Sequence, residues 1–147
     1  MENTAKELNE LVNDTFIRFK KIPLQEWEQR YAPGKWTRKQ VLGHLVDSAS
    51  NNHQRFVRAQ LGDNLTVTYT QDNWVSVQDY NNANANNLIN LWISYNKHLA
   101  YIISKISEEK YNTHCNIGKE QPVTLEWLIN DYVRHLKHHL NQILGEI

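Results

Sequence analysis

Three of the chain's seven histidines stand within five positions of one another, in the stretch DYVRHLKHHLNQIL at residues 131–144. An imidazole can be a general base, a proton shuttle or a metal ligand, and as a neutral ligand it suits zinc, copper, iron and nickel. On a helix turning about 100° per residue, Leu128, Ile129, Tyr132, Leu136, Leu140 and Ile143 span one apolar arc. His139 falls inside that arc, His135 lies at its border, and His138 is rotated toward solvent. Residues four apart stack on one helical face with Cβ atoms about 6 Å apart, so His135 and His139 can converge on one cation. The same spacing also fits two boundary residues that hydrogen-bond neighbouring helices.

A catalytic zinc site commonly takes three protein ligands and keeps a fourth position for water or substrate, so the pair needs a third imidazole. His44 lies just outside an inward face traced by Val41, Leu45, Ala49, Asn52 and Phe56, beside Ser48. That position permits convergence without requiring it. His53 projects about 180° from His44 and could not share its ion; it reads as structural, as do His98 and His114. Cys115 is the only cysteine. It can form no internal disulfide or CxxC motif, and with no activating partner in view it reads as an incidental loop residue.

The elements that must position these side chains follow from periodicity and caps. Leu8, Leu11, Val12, Phe16 and Phe19 recur at helical spacing and Pro23 blocks continuation, which predicts a first helix over about 3–21. PLQEWEQRYAPGKW is a connector. Thr37 and Gln40 form a capping box ahead of VLGHLVDSASNNHQRFVRAQL, and Gly62 stands where a left-handed C-cap belongs. Residues 63–80 are polar and aromatic without helical period, with TVTYT able to run extended. Leu88, Leu91, Trp92, Tyr95, Leu99, Ile102, Ile103 and Ile106 mark a third helix over roughly 82–107. After the irregular YNTHCNIGKEQP, Thr124 caps a fourth helix that ends at Leu144 before Gly145. Four helices and no convincing sheet predict an all-α, four-helix bundle with a long crossover between helices two and three. Trp36 and Trp127, near helix starts, read as core.

Lysine plus arginine balance aspartate plus glutamate at 16 each. No summed field steers the chain toward nucleic acid or an anionic membrane. No segment approaches the ~20 apolar residues of a membrane span, and MENTAKELNELVNDTF lacks a basic lead or an apolar run, so a cytoplasmic location is expected. The length suits a single domain, 1–147.

HLKHHLNQI resembles the closing helix of the DinB-like, YfiT-type superfamily of metal-binding four-helix proteins, where a histidine, two variable residues, a His-His pair and two more precede Gln-Ile. GKWTRKQVLGHLVDSASNNHQRF resembles that family's tryptophan-led entry into the helix bearing its first histidine. In YTQDNW, Tyr69 and Trp74 match the tyrosine and tryptophan, five apart, of the family's crossover. The resemblance covers approximately 33–144 and is weaker over 1–32. It implies that His44 joins His135 and His139, not His138, in holding zinc or nickel. It also implies a right-handed bundle with unusual helix order, often a homodimer. The family's activities include hydrolases and metal-dependent S-transferases, some using bacillithiol or related low-molecular-weight thiols.

Three neutral imidazoles would leave a zinc ion its full charge, enough to bring a water pKa near ~7 or to hold a thiol as thiolate. Water attack gains from a base such as the glutamate of HExxH, but Leu136 occupies that place here. A thiol needs less help. The expectation is an enzyme joining a low-molecular-weight thiol to an electrophilic small molecule. The alternatives are a hydrolase using metal-bound hydroxide and a non-catalytic metal- or small-molecule-binding bundle. Asp47 and Asp131 are candidates to orient imidazoles through hydrogen bonds, although a carboxylate early in a helix also suits the macrodipole. Asn52 and Arg55 could face the cleft and bind an anionic group. Tyr69 and Trp74 could wall the site or pin the crossover to the bundle.

Overall fold

The computed structural model describes residues 1–62 and 66–145; the first three positions of the predicted crossover, 63–65, lie outside the described residues. Among the described residues five α-helices follow in order: α1 (Glu2–Phe19), α2 (Arg38–Gln60), α3 (Gln71–Val77), α4 (Ala85–Lys105) and α5 (Leu125–Leu144). The four long ones bury most of the stripes that periodicity assigned to them, with Leu8, Val12, Phe56, Trp92, Leu99 and Ile129 all fully enclosed, whereas Leu91 is 49% exposed. Helix α1 packs on α4, α4 on α2, α2 on α5, and α5 closes the ring on α1. Consecutive helices α1 and α2 therefore lie across the bundle from each other, as do α4 and α5. Diagonal neighbours cannot be joined by a tight turn, which is why the α1–α2 and α4–α5 connectors are long.

Those connectors carry structure that periodicity did not disclose. A 3₁₀ turn at Leu24–Glu28 delivers Trp27 into the core, edge-on to Phe19 at 5.1 Å, while Phe19 also lies 5.2 Å from Trp92. The crossover, expected to lack helix, contains α3 and a 3₁₀ turn at Tyr80–Asn82. Seven residues make about two turns and bury only Val75, too little for a stripe to show. TVTYT enters no ladder among the described residues. A second correction concerns the sheet: β1 (His114–Cys115) pairs antiparallel with β2 (Val123–Thr124). Cys115 is thus a buried strand residue rather than an incidental loop residue. Trp127 is not core either; it is 39% exposed, with the Lys119 Nζ 4.4 Å from its ring centroid.

Caps fix the two helices that matter most for the histidines. Thr37 Oγ1 accepts from Gln40 N at 3.1 Å and Gln40 Oε1 accepts from Thr37 N at 3.0 Å, the reciprocal box expected from sequence. Thr124 caps α5 by accepting from Trp127 N, and Gly145, at φ 73°, ends it. Arg38 Nε donates to the Ile143 carbonyl at 2.9 Å, tying the start of α2 to the end of α5. Gly43 is required for a different reason. A β-carbon there would lie 2.2 Å from the Tyr80 ring, so the ring rests directly on the α2 backbone. No helix among the described residues is long and apolar enough to cross a membrane.

Candidate metal centre

The Arg38–Ile143 bond sets two antiparallel helices level. Six residues onward along α2 is a rise of ~9 Å, and four to eight residues back along α5 is ~6–12 Å. His44 therefore arrives between His139 and His135. The Nε2 atoms of His44 and His135 are 3.3 Å apart, those of His135 and His139 are 3.1 Å apart, and ligand atoms of all three lie within 4.8 Å of one another. Ligands at 2.0–2.1 Å from a tetrahedral zinc ion stand about 3.3 Å from each other, so this donor set fits a divalent cation. Among the described residues it is the group of three that could hold a metal ion.

The rings are prepared for that task electrostatically. His44 is wholly buried. Burial, followed by the charges of His139 and His135, pushes its pKa down to about 3. Burial and then His139 push His135 down to about 4, against an upward pull from Asp131. Burial also lowers His139, opposed by its bond to Gln142. All three are thus neutral near pH 7, with lone pairs available and no proton to be displaced.

The tautomer of His139 is also fixed. Its Nδ1 lies 2.7 Å from Gln142 Oε1, an amide oxygen that can only accept, so Nδ1 carries the proton and Nε2 the lone pair. The Gln142 amide in turn donates to His138 Nε2 at 3.1 Å. His138 points outward as expected, but it is linked to the cluster through Gln142. Gln142 itself was not among the expected site residues, although its place three residues after His139 in HLKHHLNQI was the available signal.

Asp47 behaves differently from what its spacing suggested. Asp47 is 3% exposed, and its Oδ1 accepts from Tyr80 Oη at 2.6 Å and Gln78 Nε2 at 2.8 Å. Its carboxylate bonds go to the end of the crossover rather than to an imidazole. Burial raises its pKa, with both bonds pulling the other way. Asp131 is ion-paired with Arg134 and lines a cavity together with His135.

That cavity, ≈ 100 Å³, is bounded by Ser48, Asn52, Arg55, Tyr69 and Tyr132 as well as Asp131 and His135. Arg55 Nε and Nη2 donate to the Val67 carbonyl at 3.1 and 2.7 Å, and Nη1 donates to Asn52 Oδ1 at 3.3 Å. Tyr69 hydrogen-bonds Ser48 and its ring centre lies 6.4 Å from that of His44, while Trp74, 37% exposed, leans on Tyr69 at 5.3 Å. Tyr69 is thus a wall of the site, and Trp74 backs it from outside. A separate depression of ≈ 370 Å³ reaches His139 and Gln142 past Tyr31, Lys35, Trp36 and Asp72. Trp36, read as core from its place before a helix, is instead a half-buried lid 5.3 Å from the His44 ring.

The remaining histidines stay apart from this centre. His53 meets Tyr95 and His98 on the α4 side, and His114 lies in β1.

The DinB superfamily pattern matches residues 7–143 of this chain. A Bacillus mycoides (strain KBAB4) protein named "Putative metal-dependent hydrolase" is 27% identical over 150 residues, covering 97% of this chain and 83% of its own. A Bacillus cereus (strain AH820) protein of the same designation is also 27% identical over the same shares. Among solved structures, YfiT from Bacillus subtilis, described as a probable metal-dependent hydrolase with an unusual four-helix bundle topology, superposes with TM-score 0.87 at 20% identity over 98% of this chain and 84% of that one. The mycothiol-dependent maleylpyruvate isomerase gives TM-score 0.79 at 15% identity, over 97% of this chain and 60% of its own.

Proposed function

This chain belongs to the DinB superfamily, and from that premise we propose that it is a divalent-metal enzyme joining a low-molecular-weight thiol to an electrophilic small molecule, with His44, His135 and His139 as ligands. The observation that carries this reading is that two depressions with no lining residue in common reach the ligands, one at His135 and one at His139. One brings Ser48, Arg55 and Tyr69 to His135; the other brings Trp36 and Gln142 to His139. A transfer reaction needs both reactants at one centre, whereas hydrolysis needs one organic substrate and water. A mycothiol-dependent enzyme among the structural relatives supports the same choice.

A bound zinc or nickel ion would supply Lewis acidity that lowers the pKa of a coordinated thiol or water. The chain's own residues supply the rest. Gln142 holds the His139 proton on Nδ1, leaving Nε2 as donor. Tyr69 and Trp36 cover His44 and keep bulk water from it. Orientation of the two reactants then accounts for much of the acceleration. In the transfer, the sulfur forms the new bond to carbon, the thiol proton passes to solvent, and any leaving group departs with its bonding pair.

A second reading, hydrolysis, is favoured by one feature: the Asp131 carboxylate lines the same cavity as His135, where a general base would stand. The 27% identical relatives carry the metal-dependent hydrolase name, which supports it as well. Metal analysis followed by incubation with cysteine, coenzyme A, bacillithiol and a chlorodinitrobenzene distinguishes the two. Thiol transfer predicts one divalent ion per chain and conjugate formation that stops when the metal is chelated. Turnover of ester substrates without thiol would select hydrolysis, and unchanged metal content in His135→Ala would remove both.

A further inference from the structure

We propose that the cavity beside His135 recognises a carboxylate through Arg55, so that the electrophile is a short carboxylic acid whose reacting carbon lies within a bond or two of its acid group. This rests on the metal-enzyme reading above and adds the substrate class.

A guanidinium has five N–H groups. In Arg55 two of them converge on the Val67 carbonyl and one on Asn52 Oδ1, which leaves one N–H on each terminal nitrogen. Both acceptors are neutral. Among the described residues no carboxylate pairs with Arg55, although the side chain is partly buried and lines the cavity. The acid that shares the cavity, Asp131, is ion-paired with Arg134, and its charge reaches Arg55 only from beyond ion-pair distance. A partly desolvated guanidinium with two unspent donors, held in place by its other three, is the arrangement that accepts a planar carboxylate in bidentate fashion.

Tethering the crossover at Val67 explains the bonds from Nε and Nη2, and it would not by itself require a cation: a neutral donor would serve the same carbonyl without a desolvation cost. The contact with Asn52 orients the guanidinium plane. The hydroxyls of Ser48 and Tyr69 lie on the same cavity wall.

Size narrows the ligand further. A volume of ≈ 100 Å³ holds roughly three water-sized groups. A carboxylate fills most of it, so the next atom or two must reach the edge formed by His135. A long acid with its reactive centre remote from the carboxylate would not place that centre at the histidines.

The test uses the full chain stripped of metal by chelation, so that the acid has no ion to bind. Acetate, pyruvate, pyruvamide and inorganic phosphate are titrated while the Arg55 Nε–H resonance and tryptophan fluorescence are followed. The expected result is saturable shifts with pyruvate and acetate, with pyruvamide weaker by at least about tenfold. Because Arg55→Gln could release Val67 and unfold the crossover, Asn52→Asp is the more informative variant. It keeps an acceptor for Nη1 but sets a negative charge against the guanidinium. It should weaken acid binding by more than about tenfold, and because it also removes the Asn52 Nδ2 bonds to Ser48, a circular-dichroism spectrum of the same sample confirms that the variant is folded. Equal binding of pyruvamide and pyruvate, undiminished binding by Asn52→Asp, or phosphate binding tighter than acetate would overturn the proposal. Acid binding to the stripped chain with no thiol transfer after metal is restored would keep the substrate class and discard the reaction.

Discussion

Helix α2 carries two histidines nine residues apart, and each meets histidine on a neighbouring helix. The ring separations are alike: His44 lies 5.2 and 4.7 Å from His135 and His139, and His53 lies 5.3 Å from His98. Proximity therefore does not distinguish them. At His44 three rings turn Nε2 inward, the central one is fully buried, and the Nδ1 of His139 is spent on Gln142 so that its other nitrogen stays free. At His53 there are two rings, the His53 Nδ1 is engaged with Tyr95 Oη at 3.2 Å, and His98 is exposed. What separates a metal centre from a surface pair is the number of uncommitted nitrogens and the loss of water around them.

The strongest way to break this contrast is to remove one ring from each cluster. His44→Ala or His135→Ala should lower divalent-metal affinity by more than about 100-fold, beyond the cost of disturbing an outer-shell partner. His53→Ala and His98→Ala should leave competition titrations with a chelating dye unchanged. A comparable loss in His98→Ala would place the ion at the wrong cluster.

Acid sharpens the contrast in the metal-free protein. His44 and His135 titrate at about 3 and about 4 when folded, against 6.5 for the unbound side chain. Their contribution to stability is therefore complete above about pH 6.5 and is lost as pH falls through 6.5 toward the folded values, because the unfolded chain then binds more protons. The two together should cost about 3 kcal/mol between pH 7.5 and 5.5, read from urea midpoints. His44→Gln should flatten that slope and His53→Gln should leave most of it.

A smaller effect is expected at Gln142. Gln142→Leu removes the acceptor that fixes the His139 proton, and should reduce metal affinity by about tenfold while the fold persists. The smallest is at His98, where replacement should change stability by no more than about 0.5 kcal/mol, as for other exposed positions.

How much of this was legible in the sequence depended on the range of the interaction involved. HLKHHLNQIL declared its helix, its apolar arc and the stacked pair, because all three depend on residues within two turns of one another. The box at Thr37 and Gln40 was legible for the same reason. The arrival of His44 at that pair depends on α2 packing antiparallel to α5 in a ring where α1 lies diagonal to α2 and α4 diagonal to α5. A helical wheel contains no such information, and only the resemblance carried it. Local spacing also misled. Asp47 sits three residues from His44, yet Tyr80 and Gln78, more than thirty residues away, hold its Oδ1. Trp127 and Trp36 occupy similar places near helix starts, but the two point to solvent and over His44 respectively. Helix α3 was too short to advertise a period.

Gly43 lends the centre a vulnerability that no inspection of the reactive groups would reveal. One added methyl there would unseat Tyr80, and with it the hydroxyl that grips Asp47 and the end of the segment carrying Tyr69 and Trp74. The roof over the histidines is thus latched by an atom that is missing, and alanine at this position should loosen it without altering a single group that a reactant could touch.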